Sequence, residues 1–217
     1  MKFRILKSNE VDKGEYYRKI SLYHSVIDKN VPADSVIFIG DSHIQMLTVS
    51  AVADKPVNYG ISGDTTAGIL QRLPLYDSIR RSRAVVIAAG HNDIAQRANK
   101  GEIIRNYKLI LEKIPADIPL FFNAVFPVDE RAGTKFTGIN SEIKSLNTLS
   151  ERLCGEFHNC HFLNVREKLA DETGNLAVNY HDGKGIHLNA NGYSVWIGYL
   201  KEALHKFPKT LPKTNLR

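Results

Sequence analysis

Four short blocks of this sequence carry the side chains that could do chemistry. Ile39-Gly40-Asp41-Ser42-His43 puts a serine where an apolar run turns into a helix, and a hydroxyl there stands at the rim of a sheet, beside unpaired backbone N–H groups and a partial positive charge suited to a developing oxyanion. A Gly-Asp-Ser triplet alone also reads as a turn with a Ser or Asp cap. Asn58-Tyr59-Gly60-Ile61-Ser62-Gly63-Asp64-Thr65-Thr66 offers Gly63, whose missing side chain lets a substrate approach its N–H. Gly90-His91-Asn92-Asp93 offers Asn92, a neutral amide donor that favours an oxyanion without gripping a carboxylate. Tyr180-His181-Asp182-Gly183-Lys184-Gly185-Ile186-His187-Leu188-Asn189 supplies an imidazole able to take the serine proton near neutral pH and a carboxylate to fix its tautomer. Ser42, Asp182 and His187 thus read as nucleophile, acid and base, with the Ser42 N–H, Gly63 N–H and Asn92 amide as oxyanion donors.

These blocks must be held by regular elements. Apolar, β-branched or aromatic runs at residues 36–39, 57–61, 84–89, 120–125 and 161–165 predict five strands, each followed by a polar or Gly-containing turn. Helical patterns lie over residues 16–27, 103–114, 139–157 and 190–206. Such alternation predicts an α/β domain with a mostly parallel sheet, because parallel strands need long crossovers and helices must cover both faces. The polar connection 129–137 follows the fourth strand and is a candidate wall of the site, or an ordinary mobile loop. We expect a helical extension over residues 1–30 that packs on the domain, one domain over 31–207, and a frayed tail over 208–217.

With 217 residues and 43% hydrophobic content, the chain can bury one sizeable core. It has no run of eighteen apolar residues, and charges interrupt residues 1–8, so a cytoplasmic protein with no membrane partner is expected. The net charge of +6 is scattered; only Arg80-Arg81-Ser82-Arg83 and the tail are locally basic, and neither has the interleaved aromatics of a nucleic-acid platform. Cys154 and Cys160 fit no standard zinc spacing, and Cys154 shares a helical stripe with Leu146, Leu149, Leu153 and Phe157, which reads as a small core residue.

Taken together, the four blocks resemble the GDSL/SGNH hydrolases, more narrowly their lysophospholipase-L1-like esterases, from Tyr16 to about Tyr199. The histidine block His187-Leu188-Asn189-Ala190-Asn191-Gly192-Tyr193 completes the match. The resemblance implies a flavodoxin-like three-layer α/β/α sandwich on a five-stranded parallel sheet, the triad Ser42, Asp182 and His187, oxyanion donors at Ser42, Gly63 and Asn92, and no metal or organic cofactor. Three departures stand out. The family usually places its acid three residues before the histidine, where this chain has Lys184; Asp182 sits five before. An insertion that bulges outward between Gly183 and Gly185 would restore contact; failing that, a backbone carbonyl orients His187. His181 is a competing base, but only His187 carries the Leu-Asn-Ala-Asn-Gly-Tyr continuation. His43 and His91 replace more usual aliphatic and small residues, and with Asp41 they are candidate substrate contacts, with plain structural roles as the alternative.

The expected activity is hydrolysis of a carboxylic ester through an acyl-serine, with a short acyl group on a sugar or small alcohol preferred. An acyltransferase would use identical residues. A binding module that recognises a sugar or peptide on the same pocket is a further rival, supported by the displaced acid. No phosphate cradle follows the first strand, which sets a nucleotide binder aside.

Overall fold

The structure, a computed structural model, describes residues 13–207. Five parallel strands, β1 (Val36–Gly40), β2 (Pro56–Gly60), β3 (Ala84–Ala88), β4 (Leu120–Asn123) and β5 (Cys160–Leu163), form one sheet in the order β2-β1-β3-β4-β5. This is the expected flavodoxin-like α/β/α arrangement. Side-chain alternation divides the core: Ile37, Ile39, Val85, Ile87, Leu120 and Phe122 face one layer, while Val36, Phe38, Ala84, Val86 and Phe121 face the other. The helices are α1 (Lys13–Asp28), α2 (Ser42–Gln45), α3 (Thr66–Arg72), α4 (His91–Ala95), α5 (Lys100–Lys113), α6 (Ile139–Cys154), α7 (Arg166–Leu169) and α8 (Ala190–His205). No described helix is long and apolar enough to cross a membrane.

Strand order reverses between β1 and β3, and a parallel sheet opens a crevice at such a point beyond the carboxyl ends of its strands. The serine follows β1 and the asparagine follows β3, so topology alone delivers both to that crevice. β1 runs one residue further than its apolar run, and β2 to β5 stop one or two residues earlier than theirs. In β4 the cause is Asn147, whose side chain accepts from Val125 N at 2.8 Å and donates to Val125 O at 2.9 Å, replacing the ladder at that point. On the opposite face, Trp196 of α8 is fully buried and donates to Asn123 Oδ1 at 2.9 Å.

The opening helix packs on the domain. Asp28, at its end, accepts from the Tyr59 hydroxyl at 2.7 Å and from the backbone and side chain of Ser78, while Tyr17 donates to Gly68 O at 2.7 Å. The expectations for residues 1–12 and for the tail from Pro208 lie outside the described residues.

Cys154 is buried in the core, as its helical stripe predicts, and it also forms a disulfide with Cys160, with a Cα–Cα distance of 5.3 Å. The bond ties the end of α6 to the start of β5 and occupies both sulfurs.

Beneath the site, Arg72 donates to Asp64 Oδ2 at 2.7 Å, to the Tyr76 hydroxyl at 2.9 Å and to Gly40 O at 3.1 Å, and both charged side chains are 1% exposed. Removing one member of such a pair strands the other charge in the core, so Arg72→Leu should lower stability by roughly 3–5 kcal/mol. Urea denaturation measures it, and a loss under about 1 kcal/mol would contradict this account.

Candidate active site

Ser42 is the first residue of α2, capped by Asp41, whose side chain accepts from His43 N at 2.9 Å. The helix is a single turn, so its contribution to an oxyanion comes from the free first-turn N–H of Ser42 and little from a macrodipole. Ser42 Oγ lies 3.0 Å from His187 Nε2, across 145 residues of sequence. This is hydrogen-bond distance for a nucleophile and its base.

Gly63 and Asn92, the other two expected donors, lie on the loops after β2 and β3. Gly63 has a φ of 80°, a left-handed conformation that disfavours any side chain, and the space where a Cβ would sit is open. Asn92 Nδ2 donates to Asp64 O at 2.8 Å, which fixes the amide beside Gly63. Asp93 binds the two loops further, accepting from Thr66 N and from the Thr66 hydroxyl at 2.6 Å. Gln45, absent from the sequence reading, accepts from Ser62 N and donates to the Tyr16 hydroxyl at 2.6 Å. It links α1 to the glycine loop; its place three residues after Ser42, on the same face of the turn, was the available signal.

Asp182 Oδ2 lies 3.9 Å from His187 Nδ1, near enough for charge attraction and too far for a hydrogen bond. Both side chains are about one-third exposed. Burial and the charge of His43 lower the His187 pKa below the ordinary imidazole value of 6.5, against the opposing pull of Asp182 and Asp41. The base is thereby kept neutral and able to accept a proton.

Asp41 and His43 lie under this surface, and His91 is half-buried beside them. Asp41 is 1% exposed and His43 2%, and their contacts are to each other and to the site's supports. The His43 ring stacks on His91 with centroids 4.8 Å apart, meets Phe126 edge-on at 5.0 Å and stands 5.4 Å from the His187 ring. Its Nδ1 faces Asp41 Oδ1 at 3.4 Å and its Nε2 faces Ile186 O at 3.3 Å. Burial works to raise the Asp41 pKa, but hydrogen bonds and charge from His43 hold it below the ordinary value. Burial and the His43 charge push His91 down to about 3, leaving it neutral. The group therefore forms a floor under Ser42 and His187; a substrate above the serine meets little of Asp41 or His43.

The loop after β4 is anchored. Asp129 N donates to Gly185 O at 2.8 Å, and the Glu130 carboxylate accepts from Gly138 N and Asn140 N. Through the bond to Gly185 it backs the histidine loop.

A family model described as the GDSL-like lipase/acylhydrolase family matches residues 39–195. Among solved structures, one from Streptococcus pneumonia, provisionally described as a platelet activating factor, is 24% identical with a TM-score of 0.80, covering 88% of this chain and 93% of that one. A GDSL-like lipase from Bacteroides thetaiotaomicron is 21% identical, with a TM-score of 0.75 and coverage of 86% and 97%. A catalytic mutant of an acetylxylan esterase from Geobacillus stearothermophilus is 14% identical, with a TM-score of 0.62 and coverage of 82% and 95%. No curated protein matches the chain in sequence. At these identities the structural likeness speaks for the fold.

Two outcomes follow from the geometry. If His187 must be neutral to act, kcat/KM should fall on the acid side with a midpoint below 6.5, the direction of its shift; a pH–rate profile with its midpoint at or above that value would contradict the arrangement. Asn92→Ala should lower kcat by about a hundred- to a thousandfold with a small change in KM, read by steady-state kinetics.

Proposed function

Because the chain belongs to the GDSL-like lipase/acylhydrolase family and is a hydrolase, we propose that it is a serine esterase cleaving short acyl esters, acetyl above all, from a sugar or small alcohol. The observation that carries this reading is the 3.0 Å contact between Ser42 Oγ and His187 Nε2. In this mechanism Ser42 Oγ attacks the ester carbonyl as its proton passes to His187 Nε2, and the carbonyl oxygen becomes an oxyanion held by the Ser42 N–H, the Gly63 N–H and the Asn92 amide. Collapse expels the alcohol, which takes the proton from His187. Water then attacks the acyl-serine, losing its proton to His187, and the carboxylic acid departs as Ser42 recovers a proton. Asp182 stabilises the imidazolium through charge at a distance.

Support for a short acyl group comes from the floor. Between His43, His91, Phe126 and Asn123 the cavity is about 10 Å³, room for one water at most, so it cannot take an acyl chain. The acetylxylan esterase with the same fold is in keeping with this size. The disulfide favours an oxidising compartment over the cytoplasmic setting expected from the sequence, since such bonds persist where thiols are not kept reduced.

A panel of p-nitrophenyl esters from acetyl to decanoyl, with O-acetylated sugars alongside, tests the substrate class: kcat/KM should be highest for acetyl and fall with chain length. A maximum at octanoyl or beyond would refute it. Ser42→Ala should lose on the order of 10⁴-fold or more in kcat and fail to label with a fluorophosphonate. A folded wild-type protein that neither labels nor turns over would leave a binding role instead, and acyl transfer outpacing hydrolysis at low acceptor concentration would mark a transferase.

A further inference from the structure

The four residues between acid and base, two more than the usual spacing leaves, are folded as the tip of a hairpin. His181 and Leu188 form an antiparallel bridge, and Asp182 N donates to His187 O at 3.0 Å. Asp182 and His187 are thus cross-strand neighbours, which places their side chains on one face. The neighbouring position, His181, points to the opposite face and is 8% exposed.

Its ring fills the inside of the tip. His181 Nδ1 accepts from Gly183 N at 3.0 Å and from Gly185 N at 3.3 Å. A nitrogen that accepts carries no proton, so the ring's hydrogen is on Nε2, which faces Asp129 Oδ2 at 3.3 Å. The tip is seated tightly on residues 129–132: a Cβ added at Gly185 would come within 2.6 Å of Ala132 Cβ and 2.9 Å of Asp129 O, and both tip glycines have left-handed backbones, with φ of 85° and 80°. Asp182 Oδ1 is meanwhile held by Lys184 N at 2.9 Å, which leaves Oδ2 turned to His187.

We propose that His181 is the positioning residue of this site: gripping the tip amides through Nδ1, with Nε2 turned toward Asp129 Oδ2, it fixes the hairpin that presents Asp182 to His187. The proposal rests on the reading of Ser42 and His187 as nucleophile and base. It gives His181, a competing base by sequence, a different part, since its ring touches no reacting atom. It also accounts for an acid five residues before the histidine with no outward bulge.

The test uses His181→Ala, Asp182→Asn and the two together in the full chain, assayed on p-nitrophenyl acetate. His181→Ala should lower kcat by about ten- to a hundredfold, the scale of a small misplacement of a catalytic group, with KM within about twofold. Asp182→Asn should do the same, and the double variant should be no worse than Asp182→Asn alone, because both act through one contact. His181→Asn, whose Oδ1 stands where Nδ1 does, should recover most of the loss. Multiplied losses in the double variant, or an unchanged kcat in His181→Ala, would overturn the proposal. Amide exchange by NMR gives a readout free of turnover: Gly183 and Gly185 should be protected in the wild type and in Asp182→Asn and open in His181→Ala, and equal exchange in all three would overturn it. Should His181→Ala not fold, the ¹⁵N tautomer of wild-type His181 decides, a proton on Nδ1 being the overturning result. A wild type inert toward every ester, with the exchange pattern as expected, would refute the esterase reading and leave the hairpin assignment standing.

Discussion

A hydroxyl and an imidazole separated by 145 residues meet at 3.0 Å, and nearly everything around them serves that contact. Ser42 is fixed by the end of β1, an interior strand of the sheet buried on both sides. His187 sits on a loop just before α8, and α8 is fixed to the sheet by Trp196 and its bond to Asn123. Tyr193 on that helix also donates to His43 O at 3.1 Å, so the two ends of the contact share a bond one residue past the nucleophile. A packed core deforms little, and the separation of nucleophile and base is therefore a property of the whole sandwich.

The electrostatic design is built from below. A carboxylate at 1% exposure is costly unless partnered, and Asp41 is surrounded by His43 and His91 where a Lys or Arg is absent among its described contacts. The same His43 that steadies Asp41 works against a charge on His187. One buried ring therefore links the cap of the nucleophile to the proton affinity of the base, and its contact with Ile186 O reaches the residue next to that base.

Much of this was legible in the sequence because it depends on local signals. The β-branched runs marked five strands, and short blocks after them named Ser42, Gly63, Asn92 and His187. Their convergence is a matter of topology, which the alternation of strand and helix nearly determines. What was not legible depends on partners distant in the chain. The bond between Cys154 and Cys160 was hidden by an apolar stripe that also explained Cys154 as packing. Gln45, which braces the glycine loop, looks like an ordinary polar residue until Ser62 and Tyr16 are placed beside it. The burial of Asp41 and His43 could not be read from a turn sequence, where polar residues ordinarily face water.

The ladder between residues 181–182 and 187–188 fixes which residues stand opposite each other, whatever the length of the tip that joins them. Opposed residues on paired strands share a face, so the acid stays beside the histidine as long as the register holds. A slip of one residue would set a different side chain opposite the histidine. The spacing of acid and base along the chain is thus free to vary with the turn, and the register of the ladder is what this architecture has to guard.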